Sequence, residues 1–429
     1  MDKHIIFSQK QLIVLNWWNK ISPYYNYQAI ICDGAIRSGK TFATTLSFII
    51  WAQKSFKNAA FAICGKTIIS ALRNVVYPIL PLLKSLGLKI KYNKSKNYFD
   101  VLKAMSSNRF YIFGGKDEMA ASFIQGITLA GVMFDEVALQ PESFVEQAIA
   151  RCSVTNSKLW FNCNPEGTQH WFYKKWIENP PKIKTLYLHF TMEDNLSLAP
   201  EIKERYKLLY SGAFYKRFIE GVWCCADGLV YQNFDVLKHT VDNLPDTFSK
   251  YYISCDYGIT NPMAFGLWGL HSGVWYRISE YYYDSKKSGQ RKTDEEYYND
   301  LIKFVGNHNI SAIIIDPSAS SFIECIKRRR KFKVIKAEND VISGINLVSE
   351  ALNSKKIIIS KNCKNCIREF ALYEWAKNCS KDEPKKQNDH TMDEIRYFVA
   401  TIVMPKQKQP NFLPMFSAIY YFGFLKALI

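Results

Sequence analysis

Eight consecutive residues, Gly34-Ala35-Ile36-Arg37-Ser38-Gly39-Lys40-Thr41, constrain this chain more than any other stretch of it. They follow an apolar run, Ala29-Ile30-Ile31-Cys32, and open a helical one from Phe42 to Ala52. A strand, a glycine-containing loop and a helix, in that order, turn loop N–H groups and the helix start toward one anion. The spacing G-x-x-x-x-G-K-[ST] makes that anion a nucleoside triphosphate. Gly34, Arg37, Ser38 and Gly39 form the cradle, Lys40 reaches the β- and γ-phosphates, and Thr41 sits on Mg²⁺. Such a loop belongs at the carboxyl edge of a mostly parallel sheet, so the first part of the chain is expected to be α/β.

The length of 429 residues favours two or three domains, each with its own core. A hydrophobic fraction of 48% with 15% aromatics excludes a disordered chain. Nothing in a fold requires the net charge of +17, which points to a polyanionic partner, nucleic acid ahead of a membrane surface. Eleven cysteines without regular spacing, and no N-terminal apolar leader, indicate a reducing cytosol. The single C-x-x-C, Cys363 to Cys366, has no second pair at zinc-finger distance. The apolar tail, residues 412–429, is interrupted by Pro414, Gly423 and Lys426. It is shorter than the roughly 20 residues a spanning helix needs. A docking segment is expected there, and no membrane partner.

Short apolar runs alternate with helical stretches through the first half, with strands expected at 28–33, 59–64, 109–113, 129–134, 158–161 and 183–190. Residues 221–246, with their Gly, Asn and Pro, read as a linker. A second α/β unit follows. It has a strand at 251–256, a hairpin of 265–270 and 274–283 around His271-Ser272-Gly273, a buried strand at 311–316, and helices to Val403. The expected division is a nucleotide-binding domain over 1–220, the linker over 221–246, a second domain over 247–410 and the tail over 411–429.

Within the first domain, Val132-Met133-Phe134-Asp135-Glu136 ends an apolar strand in two carboxylates. Asp135 holds the Mg²⁺ shell beside Thr41, and Glu136 orients and deprotonates water for attack on the γ-phosphate. Asn164, in Asn162-Cys163-Asn164-Pro165-Glu166-Gly167, is placed to sense that phosphate. Gln11, ahead of a helix, carries an amide that pairs with both edges of adenine and favours ATP over GTP. Arg37 and Arg151 are the candidates for stabilising transition-state charge, within the chain or across subunits.

Three separated carboxylates carry the chemistry of the second domain. Asp256 follows the strand Tyr252-Ile253-Ser254-Cys255, Asp316 closes Ile313-Ile314-Ile315, and Asp393 lies on a helix with His390 on the same face. A carboxylate ending a buried strand needs a compensating partner, and a cation serves two such neighbours at once. Two strand-end aspartates plus a helical one are what a two-metal phosphodiester nuclease requires, with Mg²⁺ or Mn²⁺ activating water and neutralising the leaving oxygen. Asp256, Asp316, Asp393 and His390 are therefore the candidate ligands, with Glu280 a further carboxylate.

Taken in order, these motifs make the chain resemble the large terminase subunits of tailed double-stranded DNA bacteriophages. The resemblance runs from Phe7 to about Ile402. Besides the phosphate loop, Asp135-Glu136 and Asn164-Pro165-Glu166-Gly167, it takes in Thr191-Met192-Glu193-Asp194-Asn195 and Arg217-Phe218-Ile219-Glu220-Gly221-Val222-Trp223. It continues through Asp256-Tyr257-Gly258, Asp316-Pro317, and Asp389-His390 with Asp393-Glu394-Ile395-Arg396-Tyr397. The resemblance implies a RecA-like P-loop ATPase domain followed by an RNase H-like nuclease domain. It implies ATP-driven translocation of double-stranded DNA into a procapsid and metal-dependent cutting of that DNA. It also implies a homo-oligomeric ring on a portal protein, a small terminase partner, and work in the host cytoplasm rather than in the mature virion. Some relatives carry a trans-acting arginine between the positions of Arg109 and Asp135, where this chain has none, so Arg37 and Arg151 both stay open.

Three other functions compete. A helicase or remodelling ATPase not used for packaging would not need Asp256, Asp316 and Asp393 together. A transposase or integrase would not need the phosphate loop in the same chain. A portal adaptor without catalysis would not need Lys40, Glu136 and Asp256.

Overall fold

The computed structural model describes residues 7–103, 106–258, 261–376 and 382–405. The apolar tail and its expected docking role fall outside the described residues. Two compact units are present, residues 7–203 with Lys216–Cys225, and Glu204–Tyr215 with residues 226–405.

The first unit is built on one sheet of eight strands, β1 (Ala29–Gly34), β2 (Ala60–Gly65), β3 (Lys89–Asn93), β4 (Tyr98–Lys103), β5 (Ser106–Gly114), β6 (Gly131–Phe134), β7 (Lys158–Asn162) and β8 (Thr185–Phe190). Their order is β3-β4-β5-β2-β6-β7-β1-β8. Every pair from β5 to β8 is parallel. Successive side chains of a strand point to opposite faces, and here both faces are covered. In β7, Trp160 packs with Phe48, Trp51 and Phe61 on one side, while Leu159 and Phe161 join Phe134, Phe144 and Phe172 on the other. Burial on two faces is why these strands read as near-continuous apolar runs.

The antiparallel pair β3–β4 was not legible. No residue of β3 is buried, and its Lys89-Ile90-Lys91 stretch is the charged edge that discourages further pairing. β4 is tied to β5 by Asp100 directly opposite Arg109, with guanidinium bonds of 2.8 and 3.1 Å.

The second unit has a seven-stranded sheet, β9 (Thr240–Val241), β10 (Lys250–Asp256), β11 (Met263–His271), β12 (Val274–Tyr283), β13 (Ile310–Ile315), β14 (Val334–Lys336) and β15 (Ile357–Ser360), in the order β14-β13-β10-β11-β12-β15-β9. β10, β11 and β12 run antiparallel, and β13 lies parallel to β10. The expectation of helices alone after residue 316 is corrected by β14 and β15, whose two- and three-residue apolar runs are too short for periodicity to separate strand from helix. Part of the expected linker is also ordered structure. Asp235 caps the short helix Val236–His239, and β9 then pairs with β15. Among the described residues no helix is long and apolar enough to cross a membrane.

Candidate functional site

The phosphate loop leaves β1 at its carboxyl end and feeds the helix Lys40–Ser55. Gly34 has φ +124°, and a Cβ there would stand 1.9 Å from the Phe190 carbonyl oxygen, so β8 presses on the loop where no side chain fits. Ile36 to Phe42, Asn74, Asp135, Glu136, Asn164 and Asn195 share one cavity of about 550 Å³.

Lys40 is buried, and its ammonium donates to the Gly34 and Ala35 carbonyls at 3.0 and 2.7 Å, to Ser38 Oγ at 3.2 Å and to Asn164 Oδ1 at 3.2 Å. Burial lowers its pKa, and the nearby Glu136 opposes that shift. Thr41 Oγ1 donates to Asp135 Oδ1 at 3.2 Å, which brings together the two expected Mg²⁺ residues. Their hard oxygens fit that ion. Asn162 braces the pair. Its Nδ2 donates to Asp135 Oδ1 at 2.9 Å and to Thr41 Oγ1 at 3.4 Å. Its only sequence signal was a polar residue ending an apolar strand.

Glu136 adopts φ +53°, a left-handed conformation that costs a non-glycine residue about 1–2 kcal/mol. The strain aims the carboxylate into the cavity, where Asn164 Nδ2 donates to both oxygens at 3.2 and 3.3 Å. Burial, with Asp135 adding like-charge repulsion, pushes the Glu136 carboxyl up to about 7. Burial also raises Asp135.

Arg37 lines the cavity in a left-handed conformation, and Asn195 Nδ2 holds its carbonyl at 2.7 Å. Asn195 therefore belongs to the site, a role that nothing in its local sequence signals. Gln11 stands behind the loop. Its Oε1 accepts Ser8 N–H at 3.0 Å in a capping box, and its Nε2 lies against Gly39. Arg151 is elsewhere. Its carbonyl accepts Leu129 N–H ahead of β6, at the amino edge of the sheet, so it cannot reach the phosphate site of its own chain.

In the second unit β10 and β13 are parallel neighbours with Cys255 opposite Ile315, so Asp256 and Asp316 emerge side by side at one sheet end. The helix His390–Phe398 packs across β10, β11 and β13. Two buried anchors fix its rotation. Glu369 accepts Thr391 N–H at 2.7 Å and Oγ1–H at 2.6 Å. Glu394 accepts Arg277 Nε and Nη2 at 3.1 and 2.7 Å and Trp268 Nε1 at 3.0 Å. With Thr391 and Glu394 turned to those anchors, the i, i+3, i+7 face of His390, Asp393 and Tyr397 is left for the strand-end aspartates.

His390 Nδ1 lies 3.1 Å from Asp256 Oδ2, Tyr397 OH donates to Asp316 Oδ2 at 2.8 Å, and Arg396 Nη2 to Asp393 Oδ1 at 3.0 Å. Burial pushes the Asp256 carboxyl up to about 7, with His390 opposing and Asp393 adding to the shift. A half-buried, desolvated carboxylate so placed would gain from a cation, and three carboxylates are donors of the kind Mg²⁺ and Mn²⁺ take. Among the described residues, however, no three His, Cys, Asp or Glu side chains stand as close as metal ligands do. Each aspartate is instead held by a different side chain of this one helix.

His390 is thus a partner of Asp256, and Glu280 is displaced as a ligand. Its oxygens accept Asn365 N–H at 2.7 Å, Cys366 N–H at 3.0 Å and Arg277 Nη1 at 2.9 Å, capping the helix Lys364–Phe370. Tyr397, whose role no local sequence pattern signals, is expected to set the position of Asp316. Tyr397→Phe should weaken Mn²⁺ binding about tenfold by calorimetry, the loss of one hydrogen bond to a charged group, with little change in Tm. Unchanged Mn²⁺ affinity would remove Tyr397 from the site.

Known proteins resemble this chain in both sequence and fold. The sequence profile of the family "Terminase large subunit, T4likevirus-type, N-terminal" matches residues 31–238. The terminase large subunit of Escherichia phage T5 is 21% identical over 289 residues, which is 63% of this chain and 65% of that protein, just under two thirds of its length. The large terminase of a thermophilic bacteriophage superposes with a TM-score of 0.83 at 50% identity, over 93% of this chain and 100% of that one. The same phage protein in complex with ATP-gamma-S gives a TM-score of 0.79 at 49% identity with the same coverage. With half of its residues identical to a solved large terminase over nearly its whole length, this chain belongs to the bacteriophage terminase large subunit family.

Proposed function

We propose that the first unit hydrolyses ATP to drive double-stranded viral DNA into a procapsid, and that the second unit cuts that DNA. The observation that carries this reading is the convergence of Lys40, Thr41, Asp135, Glu136 and Asn164 on one cavity. Thr41 and Asp135 would hold Mg²⁺, which would supply charge neutralisation at the phosphates. Lys40 leaves the loop carbonyls for phosphate oxygens, which are the stronger partners for an ammonium. Glu136 accepts the proton of the attacking water, and Asn164, bonded to both Glu136 and Lys40, registers the γ-phosphate. Arg37, which lines the cavity, is the proposed arginine for stabilising developing charge within the chain. Gln11 contributes to the preference for adenine through its Nε2 edge.

In the second unit, Asp256, Asp316 and Asp393 would hold the cations, which would supply charge neutralisation at the attacking and leaving oxygens. His390 keeps Asp256 oriented. The working assembly is a ring on the portal, fed by a small terminase subunit in the host cytoplasm. Within this reading the net charge of +17 serves phosphate contacts without base readout. DNA binding should then be independent of sequence and fall about 10³-fold between 50 and 200 mM salt, as for six or more neutralised phosphates. ATP hydrolysis should rise when DNA is added. A salt-insensitive binding constant, or ATP turnover indifferent to DNA, would overturn the motor reading.

A further inference from the structure

The segment Arg217–Cys224 enters neither catalytic step, yet it touches both loops that face the phosphates. At one end lies Asp33, the buried residue immediately before Gly34. A buried carboxylate is costly unless it is fully paired. Asp33 is paired three times, by Trp223 Nε1 at 2.6 Å, Tyr187 OH at 2.9 Å and His189 Nδ1 at 3.1 Å. The backbone follows the same course. Ile36 N–H donates to the Phe218 carbonyl at 2.8 Å. Gly221, at φ +76°, comes so near that a Cβ would stand 2.7 Å from Ala35 N and 2.8 Å from Gly34 Cα. The segment therefore backs the phosphate loop directly.

At the other end Arg217 is fully buried, an expensive place for a guanidinium. Its Nε donates to the Cys224 carbonyl at 2.7 Å, which closes the segment on itself, and its Nη1 lies 3.5 Å from Glu166 Oε2. Cys224 N–H donates to the Glu166 carbonyl at 3.2 Å. Glu166 is joined through the rigid Pro165 to Asn164, the amide that bonds Glu136 and Lys40.

We propose that Arg217–Cys224 is a positioning strap for ATP hydrolysis. Arg217, through Glu166, sets the loop that carries Asn164, and Trp223, through Asp33, sets the base of the phosphate loop. The two ends act on different steps. The Asn164 end governs the attacking water and so turnover, while the Asp33 end governs the phosphate cradle and so affinity. The inference rests on the ATPase reading of the first unit.

The test uses the full chain with Glu166→Gln and Trp223→Phe, conservative changes that spare the buried Arg217. ATP turnover, ATP-gamma-S affinity by calorimetry and Tm are measured for each. Glu166→Gln should lower kcat at least fivefold with affinity within twofold of wild type. Trp223→Phe should weaken affinity at least threefold with saturating kcat within twofold. Tm should stay within about 3 °C in both, a shift expected of a small local change. Wild-type kcat and affinity in both variants would overturn the strap. So would a joint fall of both parameters tracking a lower Tm, which is what a purely structural segment gives. A wild-type chain that binds ATP-gamma-S but hydrolyses no ATP would sink the ATPase reading instead, and the affinity of Trp223→Phe would still decide the Asp33 end.

Discussion

Glu136→Gln should cut ATP turnover by about 10²–10⁴-fold, the range for removing a positioned general base, while ATP-gamma-S still binds. The amide keeps the shape of the side chain and its contact with Asn164 but cannot take the proton of the attacking water. The same carboxylate predicts a pH profile. Burial raises the Glu136 pKa to about 7, so its basic form is the minority below that pH and dominates above it. At low ATP, where the free enzyme is sampled, kcat/KM should climb about tenfold per unit up to pH 7 and level off beyond it. The sign is that of a base that must lose its proton before it can act. In Glu136→Gln this climb should disappear with the activity. Normal turnover in the variant, or a wild-type profile flat from pH 6 to 8, would take the role of base away from Glu136.

Asp256→Ala should abolish DNA cleavage and leave ATP turnover within about twofold of wild type, since the two sites lie in separate compact units. Asp256 is the most consequential of the three aspartates. It is half-buried, desolvation pushes its carboxyl up to about 7, and a cation beside it would keep it ionised. Without it the site loses negative charge, so Mn²⁺ binding by calorimetry should weaken at least tenfold together with cleavage. Mn²⁺ should support cutting by the wild-type chain at least as well as Mg²⁺, because its geometric demands are looser. Cleavage that survives the substitution, or that proceeds in excess chelator, would leave the second unit a DNA-binding scaffold.

Much of both sites was written in local sequence because local requirements are strict. A loop that wraps phosphate needs glycine where φ is positive or backbone approaches closely, and Gly34 meets both conditions. Parallel strands buried on two faces need unbroken apolar runs, which made β1, β2, β6 and β7 readable. The charged, half-exposed β3 and the three-residue β14 satisfy no such rule and were missed.

By itself, then, the sequence determined that a phosphate loop opens a parallel sheet, that Asp135 and Glu136 end a strand of it, and that two aspartates end strands and a third lies on a helix of a second α/β unit. The tertiary structure decided which of these groups meet. It set Asn162 between Thr41 and Asp135, put Asn195 on Arg37, left Arg151 away from the phosphate site of its own chain, and engaged Glu280 in a helix cap. It also set Tyr397 on Asp316 and laid Arg217–Cys224 behind the phosphate loop. The reason is physical. Strand and loop propensities act over a few residues, whereas these contacts join positions up to 190 residues apart, as between Asp33 and Trp223. Sheet order and helix rotation determine such pairs, and those are settled by packing the whole core at once.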